Sequence, residues 1–372
     1  MSQHAANQWQ DLFAPCAPES AGATVVLHVV RRGGEPLLLL PARGALAARA
    51  LALYPAQTAR ARAAKTLLQI ALRFGLKPGL EAVRLTVAGN DGFAKFLSGT
   101  AGLPAGALPD FAVLAGNPRA PGRRFVLLLF GADGRPTAVV KAGVSETAQH
   151  LVAVEAEFLQ RAPANSPGLP KLRGTFQERG TRAFALDFFA GSSPNLDDSK
   201  QLGELLGSWL ATNQQVPLRE FGAWRRLAAA GSESPLPGAL QTLAEARVHP
   251  ALTHGDFAPW NVKVSRGKWT VLDWERGELA GVPGWDWFHF VMQPAVLVRR
   301  EGAAALLSRC ERLLVSAEFL NYALRAGIGE QGRALALAYL AYCTRVTRQT
   351  EGRDQVLELE RAAAARWFSG KR

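Results

Sequence analysis

The chain has 372 residues, of which 48% are hydrophobic and 20% are charged, and its formal net charge is +12. This is the composition of a globular protein with a sizeable core, and it excludes an intrinsically disordered chain. The basic residues are spread along the sequence, with no run of five or more and no zinc-finger or RNP signature, so nucleic acid is not an expected partner.

Cysteine usage and hydropathy indicate the compartment. Cys16, Cys310 and Cys343 lie far apart, which indicates neither a disulfide framework nor a zinc site and fits a reducing cytoplasm. No apolar run approaches the roughly 18 residues that a transmembrane helix needs, and the N-terminus lacks the pattern of a secretory signal. We therefore expect a cytoplasmic protein that, at most, contacts the inner face of a membrane peripherally.

Residues 1–105 are predicted to form an N-terminal extension of unknown role. Two apolar segments, 24–30 and 36–40, flank Gly33 and Gly34 and predict a β-hairpin. A helix is predicted over 58–74, with one apolar face made by Ala63, Leu67, Ile70, Ala71 and Phe74. A cationic amphipathic helix of this kind either packs its apolar face on its own domain or lies on an anionic membrane, and both interpretations stay open.

The rest of the chain divides into a β-rich part and a helical part. A Gly- and Pro-rich linker at 99–110 leads into residues 106–190, where five strands and one helix predict a small α+β lobe. The predicted strands are 111–114, 125–130, 137–141, 171–176 and 182–188, and the helix is 146–161. Residues 191–372 are mostly helical by pattern, with helices at 201–214, 218–230, 240–247, 303–325 and 332–349 around two short strands, 261–264 and 268–272.

The most informative motif runs from His254 to Asn261 and continues at Asp273. Asp256 and Asn261 are five residues apart, as in the D-x-x-x-x-N catalytic loop of protein kinases, and Asp273 follows an apolar strand. Phosphoryl transfer needs a carboxylate at the acceptor hydroxyl and oxygen ligands for Mg²⁺. Each residue alone is typical of a turn or a strand end, but the set at these spacings predicts this chemistry.

The segments HGDFAPWN (254–261) and VLDWE (271–275) resemble the catalytic core of the aminoglycoside phosphotransferase and choline kinase family. Gly281, Pro283 and Asp286 match that family's usual continuation, and the resemblance covers roughly residues 110–320. It implies an α+β, two-lobed protein-kinase-like fold, with a small β-rich N-lobe that binds nucleotide and a helical C-lobe that holds the catalytic loop and the acceptor. The N-terminal hairpin and helix lie outside the resemblance.

The resemblance implies a role for each motif residue. Asp256 would be the catalytic carboxylate that orients the acceptor hydroxyl or takes its proton. Asn261 and Asp273 would hold Mg²⁺. His254 would support the loop by a hydrogen bond, and Asp286 would brace it. The neighbouring tryptophans, including Trp274 and Trp285, are interpreted as core residues rather than as ligand-stacking ones.

The β-rich lobe is predicted to supply the other contacts to the nucleotide. Lys141 ends an apolar strand and is predicted to reach the α- and β-phosphates, with Glu155 or Glu157 as its partner. The resemblance favours Glu155.

A loop over 115–122 is predicted to cover the phosphates. Gly116, Asn117 and Gly122 are its candidate nucleotide-binding residues, and their backbone amides would cradle the phosphates. Pro118 and Pro121 remove two of those donors, so this loop departs from the kinase pattern.

The function that the resemblance implies is transfer of the γ-phosphoryl group of ATP or GTP, with Mg²⁺, to a hydroxyl of a small molecule. The acceptor would be a sugar, an aminoglycoside-like compound or an amino alcohol, and the positive net charge favours a neutral or anionic one. The prolines in the phosphate loop leave an alternative open, a catalytically weak or inactive pseudokinase that acts as a nucleotide-binding scaffold, peripheral to a membrane. A protein kinase is disfavoured, because no Ala-Pro-Glu segment follows Asp273.

Overall fold

The computed structural model describes residues 8–15, 22–54, 56, 58–77, 79–104, 106–116, 122–230, 238–347 and 352–368. The chain forms two compact units. The first contains Met1–Arg161 and Pro170–Phe189, and the second contains Ala162–Leu169 and Ala190–Arg372. Together they are the β-rich and the helical parts of a protein-kinase-like α+β fold, as the sequence predicts.

The first unit is built on one antiparallel sheet of eight strands in the order β3-β1-β2-β4-β5-β6-β8-β7. Its strands are β1 (Gly22–Arg32), β2 (Glu35–Pro41), β3 (Glu81–Ala88), β4 (Phe111–Leu114), β5 (Phe125–Phe130), β6 (Pro136–Gly143), β7 (Leu172–Glu178) and β8 (Thr181–Asp187). Its helices are α1 (Gly44–Ala50), α2 (Ala59–Arg73), α3 (Gly92–Ala101) and α4 (Glu146–Arg161). Strands β4 and β5 and helix α4 have the bounds that the sequence predicts.

Residues on both sides of position 105 share this sheet. The predicted hairpin is β1 and β2, and β2 pairs with β4 through Leu38 opposite Leu114 and Leu39 opposite Val113. Phe93, from the N-terminal region, packs against Phe176 of β7 with ring centroids 5.4 Å apart. The division of the chain at residue 105 stays a prediction, but the two regions have a common core in this structure.

Strand β3 and helix α3 are not predicted by the sequence patterns. Helix α3 takes up the first residues of the predicted 99–110 linker, because the Asp91 carboxylate accepts a hydrogen bond from the Ala94 amide, 2.7 Å away, and caps the helix. Gly102 ends it in a left-handed conformation. The helix is rich in Gly and Ala, so the composition of its last residues resembles that of the linker segment, and the sequence pattern does not reveal the helix.

The second unit is mainly helical. Its helices are α5 (Ser199–Ser208), α6 (Gly222–Ala230), α7 (Gly238–Ala244), α8 (Trp285–Leu297), α9 (Ala303–Leu314), α10 (Ala317–Ala326), α11 (Gly332–Arg345) and α12 (Arg353–Phe368). Its short strands are β9 (Val216–Pro217), β10 (Arg247–Val248), β11 (Ala251–Thr253), β12 (Val262–Ser265), β13 (Lys268–Val271) and β14 (Glu278–Gly281). Strands β12 and β13 form the predicted hairpin.

Helix bounds in this unit differ from the predicted ones by up to six residues, as at Ser208, where α5 ends, and strands β9, β10, β11 and β14 are not predicted. Two larger differences concern whole helices. The single helix expected over 303–325 is two helices, because the Ser316 hydroxyl accepts a hydrogen bond from the Phe319 amide and starts α10 anew. Helix α8 is not predicted, since eleven of its thirteen residues are buried and it therefore has no polar face and no clear period.

Among the described residues, we find no helix with the length and apolar character needed to cross a bilayer.

Candidate active site

The predicted catalytic loop connects β11 to β12 in the second unit. It begins at His254 after a buried strand and ends in the short helical turn Pro259–Asn261. Gly255 has φ +75°, and a Cβ at this position would lie 2.7 Å from the Arg276 carbonyl oxygen. Only glycine fits both the left-handed conformation and the close approach, so the backbone path ahead of Asp256 depends on Gly255.

Asp286, in the first turn of α8, braces the start of the loop. Its carboxylate accepts hydrogen bonds from the backbone amides of His254 at 2.6 Å and Gly255 at 3.0 Å. Burial raises the pKa of the Asp286 carboxyl above its ordinary value, although both amide hydrogen bonds act in the opposite direction. The buried helix α8 thereby fixes the backbone of the loop.

His254 joins the loop to the strand that precedes Asp273. Its Nε2 donates to the Leu272 carbonyl at 2.8 Å, and its Nδ1 accepts from the Asp256 amide at 3.2 Å. A carbonyl can only accept and an amide N–H can only donate, so these partners assign the neutral Nε2–H tautomer. The fully buried imidazole also packs on Trp274, with ring centroids 4.7 Å apart.

Asp256 presents an ionised carboxylate. Its Oδ1 lies 3.0 Å from His289 Nε2 and its Oδ2 3.4 Å from Asn261 Nδ2, and 34% of the side chain is exposed. Burial is the largest single influence and raises the pKa of Asp256, but the hydrogen bond from His289 and the positive charges around the carboxylate, Arg276 among them, together outweigh it, so the pKa lies below its ordinary value. At neutral pH the group can accept a proton or a hydrogen bond from a hydroxyl.

His289 is a site residue that sequence reasoning missed. It lies in α8, one turn after Asp286, and its Nδ1 is 3.0 Å from the Tyr339 hydroxyl. Burial raises the pKa of Tyr339 well above its ordinary value, so this hydroxyl stays protonated and is able to donate to His289 Nδ1, while the Nε2–H donates to Asp256. The signal available in the sequence is the spacing of Asp286 and His289 by three residues within an apolar segment.

Asn261 and Asp273, the predicted metal ligands, lie on adjacent backbone segments. The Leu272 amide donates to the Asn261 carbonyl at 2.7 Å, which places Asp273 next to Asn261. The Asn261 Nδ2 donates to the Asp256 carbonyl at 2.8 Å. The side-chain oxygen of Asn261, which is the kind of atom that a hard cation prefers, therefore points away from that carbonyl. Asp273 has φ +76°, an unusual conformation for this residue type and one often found at functional sites. This amide–carboxylate pair fits Mg²⁺.

Lys141 and Glu155 form an ion pair in the first unit. Lys141 Nζ lies 2.7 Å from each carboxylate oxygen of Glu155, and the two side chains are 12% and 1% exposed. Glu157, the other candidate partner, lies instead 3.7 Å from Arg182 on an exposed face of the helix. The sheet holds the lysine through β6, and α4 supplies the glutamate.

The predicted phosphate loop is described only at its two ends. Gly116 has φ +63° and Gly122 has φ +77°, while Asn117 and both prolines lie outside the described residues. A Cβ on Gly116 would lie 2.5 Å from the Arg124 carbonyl oxygen, so a larger residue does not fit there. Tight glycine turns therefore begin and end the loop.

A cavity of about 460 Å³ reaches the catalytic loop at Gly255 and helix α8 at His289. Its aromatic lining residues are Trp285, Tyr339 and Tyr342, and its charged ones include Arg226, Glu275, Arg276 and Glu278. The Trp285 side chain is 8% exposed, and its indole N–H has no hydrogen-bond acceptor among the described residues. The residue was interpreted as core from the sequence; it is buried, and it also lines this cavity.

Charged side chains of both signs line the cavity, and the Asp286 carboxyl is among them. Arg226 donates to the Glu278 carboxylate and, at 3.2 Å, to the Tyr342 hydroxyl, and its guanidinium lies 5.9 Å from the centre of the Tyr342 ring. Arg276 and Glu275 add one charge of each sign at the wall.

Comparison with known family models gives one match. Residues 118–305, just over half of the chain, match the model of the phosphotransferase enzyme family. The match includes every predicted site residue except Gly116 and Asn117.

Solved structures are similar at low identity. A thermostable aminoglycoside phosphotransferase APH(4)-Ia mutant, in a ternary complex with AMP-PNP and hygromycin B, is 15% identical, with 75% of this chain and 99% of that chain covered and a TM-score of 0.47. A putative fructosamine-3-kinase from Haemophilus somnus 129PT is 13% identical, with 73% and 96% covered and a TM-score of 0.41. A putative aminoglycoside phosphotransferase from Ralstonia eutropha JMP134 is 15% identical, with 66% and 87% covered and a TM-score of 0.38. No curated protein sequence matches the chain significantly.

Proposed function

The chain belongs to the phosphotransferase enzyme family, and on this premise we propose that it moves the γ-phosphoryl group of ATP or GTP to a hydroxyl of a small molecule. The observation that carries the proposal is Asp256: an ionised, partly exposed carboxylate that His289 and Asn261 hold, next to Gly255 and His289, which line the cavity. Phosphoryl transfer depends on positioning and charge more than on covalent chemistry, and this loop supplies both.

In the proposed reaction the acceptor hydroxyl donates a hydrogen bond to Asp256, which orients its oxygen. As the bond from that oxygen to the γ-phosphorus forms, the bond from phosphorus to the bridging oxygen of the nucleoside diphosphate breaks. The hydroxyl proton passes to the carboxylate. His289 keeps the carboxylate in place and ionised through its Nε2–H, and Tyr339 keeps His289 in that tautomer.

The nucleotide contacts are part of the same proposal. Asn261 and Asp273 would hold Mg²⁺, which when bound neutralises phosphate charge. Lys141 would contact the α- and β-phosphates, with Glu155 fixing the position of its ammonium group. The backbone of the loop that contains Gly116, Asn117 and Gly122 would cover the phosphates.

For the acceptor we propose a sugar or sugar derivative of low charge. The aromatic side chains of the cavity offer apolar faces to the C–H surface of a sugar ring. A buried N–H without a partner costs about 1–3 kcal/mol, and a sugar hydroxyl could satisfy the indole N–H of Trp285. The balanced arginine and glutamate side chains provide further hydrogen-bond partners without the acidic surplus that a polycation needs.

The test is nucleotide consumption with Mg²⁺ in the presence of sugars, amino sugars, aminoglycosides and amino alcohols. We expect turnover with sugars, and Asp256→Asn should reduce kcat by about 10²–10⁴-fold, the usual contribution of a positioned base. Asp354→Asn, the same change at an exposed position in the first turn of α12, is the matched control and should leave the rate unchanged.

Two results would contradict the proposal. Turnover that survives Asp256→Asn would remove this residue from the reaction. Nucleotide binding without turnover of any acceptor would favour the inactive scaffold, the alternative that the prolines of the phosphate loop leave open.

A further inference from the structure

Helix α2 packs on its own unit, but the packed face is not the most apolar face of the helix. Leu72 is fully buried, Leu68 packs on the same core cluster, and Lys65 Nζ donates to the Tyr54 carbonyl at 2.8 Å. These residues recur at spacings of three and four, so they form one stripe along the helix. The packed side of α2 therefore contains only two large apolar side chains.

The opposite side of α2 exposes the predicted apolar face. Leu67 is 69% exposed, Ile70 46% and Phe74 79%, and Leu76, just beyond the helix, is 62% exposed. Four large apolar side chains thus lie within ten residues on one surface. A cluster of this kind on a folded protein typically marks an interaction site. The first of the two interpretations of the amphipathic pattern, that its apolar face packs on its own domain, is wrong for these residues.

The surroundings of this cluster are strongly basic. Residues 36–80 contain seven arginines and lysines and no aspartate or glutamate: Arg43, Arg49, Arg60, Arg62, Lys65, Arg73 and Lys77. Arg60, Arg62, Arg73 and Lys77 are exposed, and within the part of the chain that the structure describes none of these four pairs with a carboxylate. A partner for this surface must offer both negative charge and an apolar phase.

We propose that this surface, made by Leu67, Ile70, Phe74, Leu76 and the four exposed cations, docks on an anionic lipid bilayer. The apolar side chains would enter the boundary between headgroups and acyl chains, and the arginines and lysine would contact lipid phosphates. A second copy of the chain fits less well, because self-association would bring two sets of like charges together. Nucleic acid offers negative charge but no apolar environment for the four exposed aliphatic and aromatic side chains. The proposal does not depend on phosphoryl transfer.

The experiment is co-sedimentation of the full chain with vesicles of phosphatidylcholine, alone or mixed with phosphatidylglycerol. We expect binding to the anionic vesicles only, and weaker binding as salt is raised. The double variant Leu67→Ser/Phe74→Ser should bind at least about tenfold more weakly, since two inserted side chains are lost. Arg62→Gln and Arg73→Gln should each weaken binding about fivefold.

The matched control is Leu320→Ser/Leu324→Ser on α10, where the same changes remove two exposed leucines outside the basic surface. Their exposed fractions are 51% and 76%, and binding should not change. All variants alter exposed side chains, so thermal unfolding should stay that of the unchanged chain, which separates lost docking from lost folding.

Three results would overturn the proposal. One is equal binding to vesicles with and without phosphatidylglycerol, or binding to neither. Another is undiminished binding of Leu67→Ser/Phe74→Ser. The third is self-association in analytical ultracentrifugation, or binding of a single-stranded RNA, that this variant abolishes while vesicle binding is absent.

Discussion

Two carboxyl groups of the candidate site have pKa values that their surroundings move in opposite directions. Asp286 is buried among backbone donors and its pKa is raised by burial, whereas the pKa of Asp256 is lowered because the His289 hydrogen bond and the neighbouring positive charges together outweigh burial. Such divergence separates a structural carboxyl from a reactive one. At the scale of single residues, the site is therefore organised by hydrogen bonds that decide which group holds a proton.

The first residue-scale prediction concerns pH. His289→Phe removes the hydrogen bond that lowers the pKa of Asp256 and leaves the burial that raises it, so the pKa should rise. Because a protonated carboxyl cannot accept the hydroxyl proton, the acid limb of kcat should move to higher pH. The measurement is kcat from about pH 8 down to about pH 4, the range that spans ordinary carboxyl and imidazole values.

Tyr339→Phe is the control for that profile. It removes the donor to His289 Nδ1 but keeps His289 Nε2 in reach of Asp256, so its acid limb should move less. Identical acid limbs for His289→Phe and the unchanged enzyme would show that His289 does not set the charge of Asp256.

The second residue-scale prediction concerns the buried ion pair. Lys141→Met leaves the Glu155 carboxylate buried without its ammonium partner and should lower the free energy of unfolding by about 3–5 kcal/mol. Lys141→Met/Glu155→Leu removes both charges and should recover most of that loss. Arg182→Met, which breaks the exposed pair with Glu157 on the same helix, should change stability by less than about 1 kcal/mol. Urea titration measures all three, and an equal effect of the two single variants would contradict the burial argument.

At the scale of elements, one buried helix organises the catalytic loop. Helix α8 carries Asp286, which fixes the loop backbone at His254 and Gly255, and His289, which fixes the Asp256 side chain. The two residues lie one turn apart and so reach the same loop. Backbone and side chain of the loop are thus positioned from a single rigid element.

The element-scale prediction concerns the turn that begins the phosphate loop. Gly116→Ala places a Cβ 2.5 Å from the Arg124 carbonyl at a residue with φ +63°, so it should lower the free energy of unfolding by about 1–3 kcal/mol. Gly99→Ala, within α3, meets no atom within 4 Å and should instead stabilise the protein by about 0.4–1 kcal/mol. Thermal unfolding distinguishes the signs, and equal effects would mean that the turn tolerates a side chain.

At the scale of the whole molecule, the N-terminal region and the strands that follow it share one hydrophobic core. Trp9, Phe13 and Phe93 pack in the same cluster as Phe111 and Phe125. The eight-stranded sheet has no break at residue 105, since β2 pairs directly with β4. A substitution that destabilises the N-terminal region should therefore also destabilise the strands that follow it.

The whole-molecule prediction uses two phenylalanines of the N-terminal region. Phe93→Ala creates a cavity beside Phe13 and Phe176 and should cost about 3–5 kcal/mol, with faster amide exchange in β7 and β8. Phe74→Ala changes a side chain that is 79% exposed and should shift stability by less than about 0.5 kcal/mol. Unchanged exchange in β7 and β8 for Phe93→Ala would indicate that residues 1–105 fold independently of the strands.

Much of the fold could be predicted from local patterns. Strands β4 and β5 are short apolar runs between turn residues, and helix α4 has a clear apolar face, so their bounds follow from the residues themselves. Helix α8 has no such signal, because burial on all sides leaves no polar face and removes the periodicity. The joining of β2 to β4 was also unpredictable, since pairing of strands 70 residues apart depends on the whole sheet rather than on either strand.

For the candidate site, the sequence alone predicts which groups carry the chemistry, because spacing along one loop is local: Asp256, Asn261 and Asp273 are recognisable from their separation. The tertiary structure decided which other groups hold the Asp256 side chain in place and shift its pKa. His289 reaches Asp256, and Tyr339 reaches His289, only because the fold brings together residues that follow Asp256 by 33 and 83 positions in the chain. The tertiary structure also decided which face of α2 is buried. The hydrophobic pattern of a helix predicts an apolar face, but it does not predict which surface, if any, covers that face.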